Sequence, residues 1–208
     1  MLRNCSLAIA LLALGSVAQA EIILPTFTNT SSSGNHTDFG GTRAVVSDSF
    51  FEDHRGIAEF SLAGLQPFTS ATLEVDVFDV NGPGLMIDLV AFHGDNVYSI
   101  GGDWSIASFA TITSLNSATL VDGQHLSINI SNALASAVAN GDIALGLRFQ
   151  RNGAPTDSNN LADFRNLRIV TQAAEVPEPA SLAIWGIGSL GMAWCANRRA
   201  RKRLGPMQ

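Results

Sequence analysis

Between Glu21 and Glu175, apolar residues recur at every second position, the spacing that turns one face of a β-strand toward a core. Leu73, Val75 and Val77 alternate with Glu74, Asp76 and Phe78, and Leu126, Ile128 and Ile130 with Ser127 and Asn129. Ile143, Leu145, Leu147 and Phe149 alternate with Ala144, Gly146 and Arg148, and Ala58, Phe60 and Leu62 with Glu59 and Ser61. Leu167 and Ile169 flank an outward Arg168. Leu85 to Phe92 is apolar on both faces apart from Asp88, so it reads as a central strand. Turn residues separate the runs at Asn81-Gly82-Pro83-Gly84, His93-Gly94-Asp95-Asn96, Asp122-Gly123 and Asn152-Gly153. Many short strands at this spacing predict a mainly β domain, an antiparallel sandwich of two sheets or a jelly roll. One segment departs from it. Ser131 is placed to cap a short helix over Asn132 to Ala139, which Asn140-Gly141 would stop. Thr28 to Thr37 reads as a flexible polar stretch.

Charged residues make up 14% of the 208 positions, below the ~25% of an ordinary soluble chain, and two apolar ends account for part of the deficit. Residues 1–20 have the build of a secretory signal peptide: Arg3, then apolar Leu7 to Leu14, then Ala18 and Ala20 where signal peptidase accepts small side chains. Cleavage there would start the mature chain at Glu21. At the other end Pro177-Glu178-Pro179 precedes 17 uncharged residues, Ala180 to Ala196. That length is at the short end of a transmembrane helix. Arg198, Arg199, Arg201, Lys202 and Arg203 follow it. Such a basic cluster stays in the cytoplasm and leaves the domain on the outside. The expected organisation is a signal peptide at 1–20, a β-sandwich ectodomain at 21–172, a linker, motif, membrane helix and basic cluster at 173–203, and a tail at 204–208.

The ordered combination from Val176 to Arg203 resembles the PEP-CTERM sorting signal. That resemblance implies recognition at Pro177, Glu178 and Pro179 by an exosortase, a membrane-embedded cysteine transpeptidase of Gram-negative-type bacteria that make exopolysaccharide. It further implies that the protein is anchored in the inner membrane, then passed to the cell surface or the extracellular matrix. A shorter stretch, His54 to Leu65 (HRGIAEFSLAGL) with Phe68 to Leu73, resembles the start of DNRLRE-type β-sandwich modules, which are similar in outline to carbohydrate-binding jelly rolls. No binding residue follows from it.

The ectodomain is strongly acidic. Glu21 to Glu175 holds six arginines, no lysine and 17 carboxylates, a formal charge of −11 that the basic tail masks in the whole-chain value of −6. Such a surface repels nucleic acid and suits solubility or the gathering of divalent cations. Both cysteines, Cys5 and Cys195, lie in the end segments, so thiol catalysis and zinc–thiolate sites are excluded from the domain. No nucleophile elbow, H-E-x-x-H or P-loop is present, and no enzyme activity is expected. His54 reads as a surface turn residue. Glu59 and Glu74, expected on adjacent strands, could flank a glycosidic bond, yet solvent-facing alternation explains both.

Calcium is the one cofactor the turns suggest, because hard cations take carboxylate and carbonyl oxygens on tight loops. Asp79 and Asn81 open a D-x-N-G sequence, but Val90 stands where a further acidic ligand belongs. Asp95-Asn96, Gly102-Asp103 and Asp157 to Asn160 are other candidates, each readable as a plain turn. Trp104 and Tyr98 are the candidate contacts for a sugar such as exopolysaccharide, or else, for a lone tryptophan in a sandwich, part of the core.

Overall fold

The computed structural model describes residues 20–32, 43–48, 53–82, 84–99, 102–153 and 160–174. Ala18, Pro177-Glu178-Pro179, the apolar run Ala180 to Ala196 and the cluster Arg198 to Arg203 lie outside the described residues. Among the described residues, no helix is long and apolar enough to cross a membrane.

Ten strands carry the domain among these residues: β1 (Ala20–Ile23), β2 (Phe27–Ser32), β3 (Arg43–Asp48), β4 (Asp53–Ser61), β5 (Phe68–Asn81), β6 (Met86–Gly94), β7 (Ser108–Asn116), β8 (His125–Asn129), β9 (Ala144–Arg151) and β10 (Asn160–Ala173). A single helical turn, α1 (Gly102–Ser105), a 3-10 turn at Ser117–Thr119 and the helix α2 (Ser131–Asn140) complete it. The fold is mainly β and antiparallel, as the alternation predicts. The two walls of the expected sandwich are joined into one sheet, in the order β7-β6-β9-β4-β3-β10-β5-β8. β3 makes the join, pairing with β10 and with β4, while β1 also pairs with β10 and β2 with β4, all antiparallel. The result is a nearly closed, barrel-like sheet whose open seam lies between β7 and β8.

Inside, Leu73, Val75 and Val77 of β5 meet Phe60 of β4, Leu145, Leu147 and Phe149 of β9 and Phe164 of β10. Phe149 and Phe164 stack at 4.4 Å between ring centroids and so bind the two walls to each other. β5 and β10 pair over their full lengths, with a bulge between Arg165 and Arg168. There Asn166 adopts a left-handed φ of 54° and donates from its amide to Asp76 at 2.8 Å. With His125 also hydrogen-bonded to it, this contact holds the Asp76 carboxyl below its ordinary range.

Several expectations need correction. Thr28 to Ser31 are buried in β2, not flexible: the Thr30 hydroxyl accepts from the Val45 amide at 2.8 Å, which satisfies a polar side chain inside the sheet. Ser131 is the first residue of α2, not its cap. Its hydroxyl accepts from the Ala71 amide at 2.9 Å and donates to the Ala71 carbonyl at 3.3 Å, docking the helix on β5. The helix does stop at Gly141, whose φ of 76° closes its last turn. Around β9 the alternation fails twice: Ile143, just before the strand, is 61% exposed, and Arg148, within it and expected in solvent, is 4% exposed.

Candidate functional site

The strand registers place Phe27, Glu59, Gly146 and Phe92 side by side across β2, β4, β9 and β6. Asn29, Ile57, Arg148 and Val90 form the next row. These rows belong to the face opposite the main core, since Ala58, Phe60, Leu145, Leu147 and Ala91 occupy the inner one. Apart from half-buried Phe27 they are nevertheless buried, because Asp95 to Ser99 and Gly102 to Ala107 lie over them. Tyr98 packs edge-on against Phe27 at 5.4 Å, and the Asn96 amide donates to Glu59 Oε2 at 2.6 Å. Gly146 permits this layer, because a Cβ there would overlap the Phe92 ring.

Two arginines hold the segment down. Arg148 Nη1 donates to the carbonyls of Asp103, Trp104 and Ile106 at 2.9, 3.2 and 3.0 Å. Burial, followed by repulsion from Arg55, lowers its guanidinium to about 10. Arg55 stacks 3.6 Å above the Trp104 ring and donates to the Trp104 carbonyl at 2.8 Å.

Under this cover three carboxylates converge. Glu59 is 0% exposed, and Asp103 of α1 is buried while Asp95 is exposed at the rim. One oxygen from each lies within 4.8 Å of the other two. Asp103 Oδ2 accepts from the Ser99 amide and Asp95 Oδ1 from the Val97 amide, both at 2.8 Å. Glu59 Oε1 is buried without a hydrogen-bond partner. Burial, reinforced by the like charges of Asp103 and Asp95, raises the Glu59 carboxyl to about 7 against the opposing Asn96 amide. Burial also raises Asp103. Gly94 leaves room for this arrangement, since a Cβ there would meet Glu59 Cδ at 2.9 Å.

The remaining sequence candidates are dispersed. Asp79 and Asn81 sit exposed at the end of β5, opposite Asp163 and Leu161, and no carboxylate cluster includes Asp79 among the described residues. Trp104 and Tyr98 are both half-buried in the covering segment. His54 is buried within β4, not in a turn, and its Nδ1 is hydrogen-bonded to the Ser47 hydroxyl. Glu59 and Glu74 are not on adjacent strands: β3 and β10 separate β4 from β5, and Glu74 pairs with Arg168 at 2.6 Å. A separate buried group, Asp163 between Arg43 and Arg165 at 2.6 and 3.1 Å, ties β3 to β10. Ala20, the expected cleavage residue, is exposed at the start of β1 opposite Gln172.

Glu59, like Arg148, sits on the face the alternation assigns it, but that face is covered. The usable signal was Ile57, an apolar residue two positions away on the same face, together with β6, which is apolar on both faces and so requires cover on its outer side.

A mainly β domain that ends at Ala173 is followed directly by the segment that resembles a sorting signal. Residues 175–199 match the family model of the PEP-CTERM protein-sorting motif. The chain therefore carries that motif, which implies export toward the cell surface and processing by exosortase. No curated protein matches the chain.

Proposed function

We propose that this chain is a non-enzymatic β-rich cargo, exported behind the signal peptide at 1–20 and held in the inner membrane by Ala180 to Ala196. An exosortase-type transpeptidase then processes it at Pro177-Glu178-Pro179, and the acidic domain reaches the cell surface or the exopolysaccharide matrix. The match of residues 175–199 to the sorting motif carries this reading. Two features of the chain support it further. The five cations after the apolar run favour a cytoplasmic tail, and the formal charge of −11 keeps a displayed domain soluble. On the covered outer face of β4 and β9, Arg148 and Arg55 donate to the backbone of the covering segment, which is a structural use of these charges.

The test is to change Pro177 and Pro179 to Ala in the native host and follow size and location. The full-length precursor should accumulate in the inner-membrane fraction. Unchanged processing and unchanged delivery to the surface would overturn the proposal.

A further inference from the structure

We propose that Glu59, Asp95 and Asp103 form a calcium site that fastens Asp95 to Ser99 and Gly102 to Ala107 onto the outer face of the β6-β9-β4 wall. Oxygens bound to one calcium at ~2.3–2.6 Å stand at most about 5.2 Å apart, so mutual separations within 4.8 Å fit a single ion. The buried, unpartnered Glu59 Oε1 is an observation independent of that clustering. A carboxylate oxygen removed from water without a donor is costly, and a cation against it offsets the cost.

The charge around the site points the same way. Among the described residues no arginine or histidine forms an ion pair with any of the three carboxylates. Arg148, buried next to them, directs Nη1 to carbonyls and Nε to Gln150 Oε1 at 2.9 Å. His93, on the same strand as Gly94, is paired with Asp142. The donors are oxygens only, which selects a hard cation. Asp95 is exposed, so an ion has a route in and water can complete its shell. The ligands come from β4, from the turn after β6 and from α1, so binding would couple the loop to the sheet.

Calorimetric titration of CaCl2 into the full-length chain, purified in detergent and stripped with EGTA, tests this. One ion should bind per chain, with a dissociation constant of about 10⁻⁴ to 10⁻³ M, the range of extracellular calcium modules. Asp95→Asn, at the exposed rim, should weaken binding at least about tenfold while the circular dichroism spectrum stays native. Glu59→Gln should do the same. Asp79→Asn removes an exposed carboxylate elsewhere on the domain and should leave the affinity unchanged. Calcium should also slow amide exchange in 102–107, an effect absent in Asp95→Asn. No saturable calcium binding by the wild-type chain would overturn the assignment. So would unchanged affinity in Asp95→Asn, an equal loss in Asp79→Asn, or magnesium binding as tightly as calcium.

Discussion

Replacing Glu59 by glutamine keeps the shape of the side chain and removes the ionisation that its surroundings oppose. Burial, with Asp103 and Asp95 adding like charge, raises this carboxyl from an ordinary 4.5 to about 7 in the ion-free protein. The folded state therefore holds the proton more tightly than the unfolded chain. Its contribution to stability is fully present below about 4.5 and is lost as the pH rises through 7. The interval corresponds to about 3 kcal/mol. Glutamine carries no such dependence. Relative to wild type, Glu59→Gln should be stabilising by under about 1 kcal/mol at pH 5 and by about 3 kcal/mol at pH 8. Urea denaturation of both full-length proteins at the two pH values, in EGTA and followed by far-ultraviolet circular dichroism, reads the difference directly. An effect of Glu59→Gln that is the same at pH 5 and pH 8 would refute the reasoning, because the carboxyl would then titrate alike in both states.

Three further substitutions probe the packing. Gly146→Ala pushes a methyl into the Phe92 ring and should lower stability by about 1–3 kcal/mol, seen as a shifted urea midpoint. Arg148→Met withdraws the shared donor from three carbonyls and should cost about 3 kcal/mol. Amide exchange should then quicken in 102–107 well before it does in Leu73 to Val77. Ser131→Ala removes the hydroxyl that bonds both backbone groups of Ala71, at about 1–2 kcal/mol. The Ala71 amide, and not the first turn of α2, should lose protection.

What could be read from the chain divides along a physical line. β5 was legible because one of its faces is entirely core: Leu73, Val75 and Val77 are fully buried and the residues between them are not. α2 was legible from its small apolar residues and the Asn140-Gly141 stop, although Ser131 turned out to dock the helix instead of capping it. β1, β2, β3 and β7 escaped because their burial depends on neighbours distant in sequence. Thr28, Asn29, Thr30 and Ser31 look like linker residues until β4 pairs with their backbone and β3 supplies partners for the Thr30 hydroxyl. The carboxylate cluster escaped for a related reason. Period two assigns a residue to a face but does not say whether that face is covered, and the outer face of β4 and β9 is covered by a loop more than thirty residues downstream of Glu59. Asp95 and Asp103 were singled out as turn acids, whereas their meeting with Glu59 required the sheet register.

In the proposed reading the terminal segments serve transport and the β domain is the delivered product. Mass spectrometry of the protein recovered from the surface or medium of the native host tests it most directly. A chain that begins at Glu21 and lacks every peptide from Ala180 onward is expected. Recovery of a chain still carrying Ala180 to Ala196 and the arginines beyond it would show that the terminal segment is not removed on delivery.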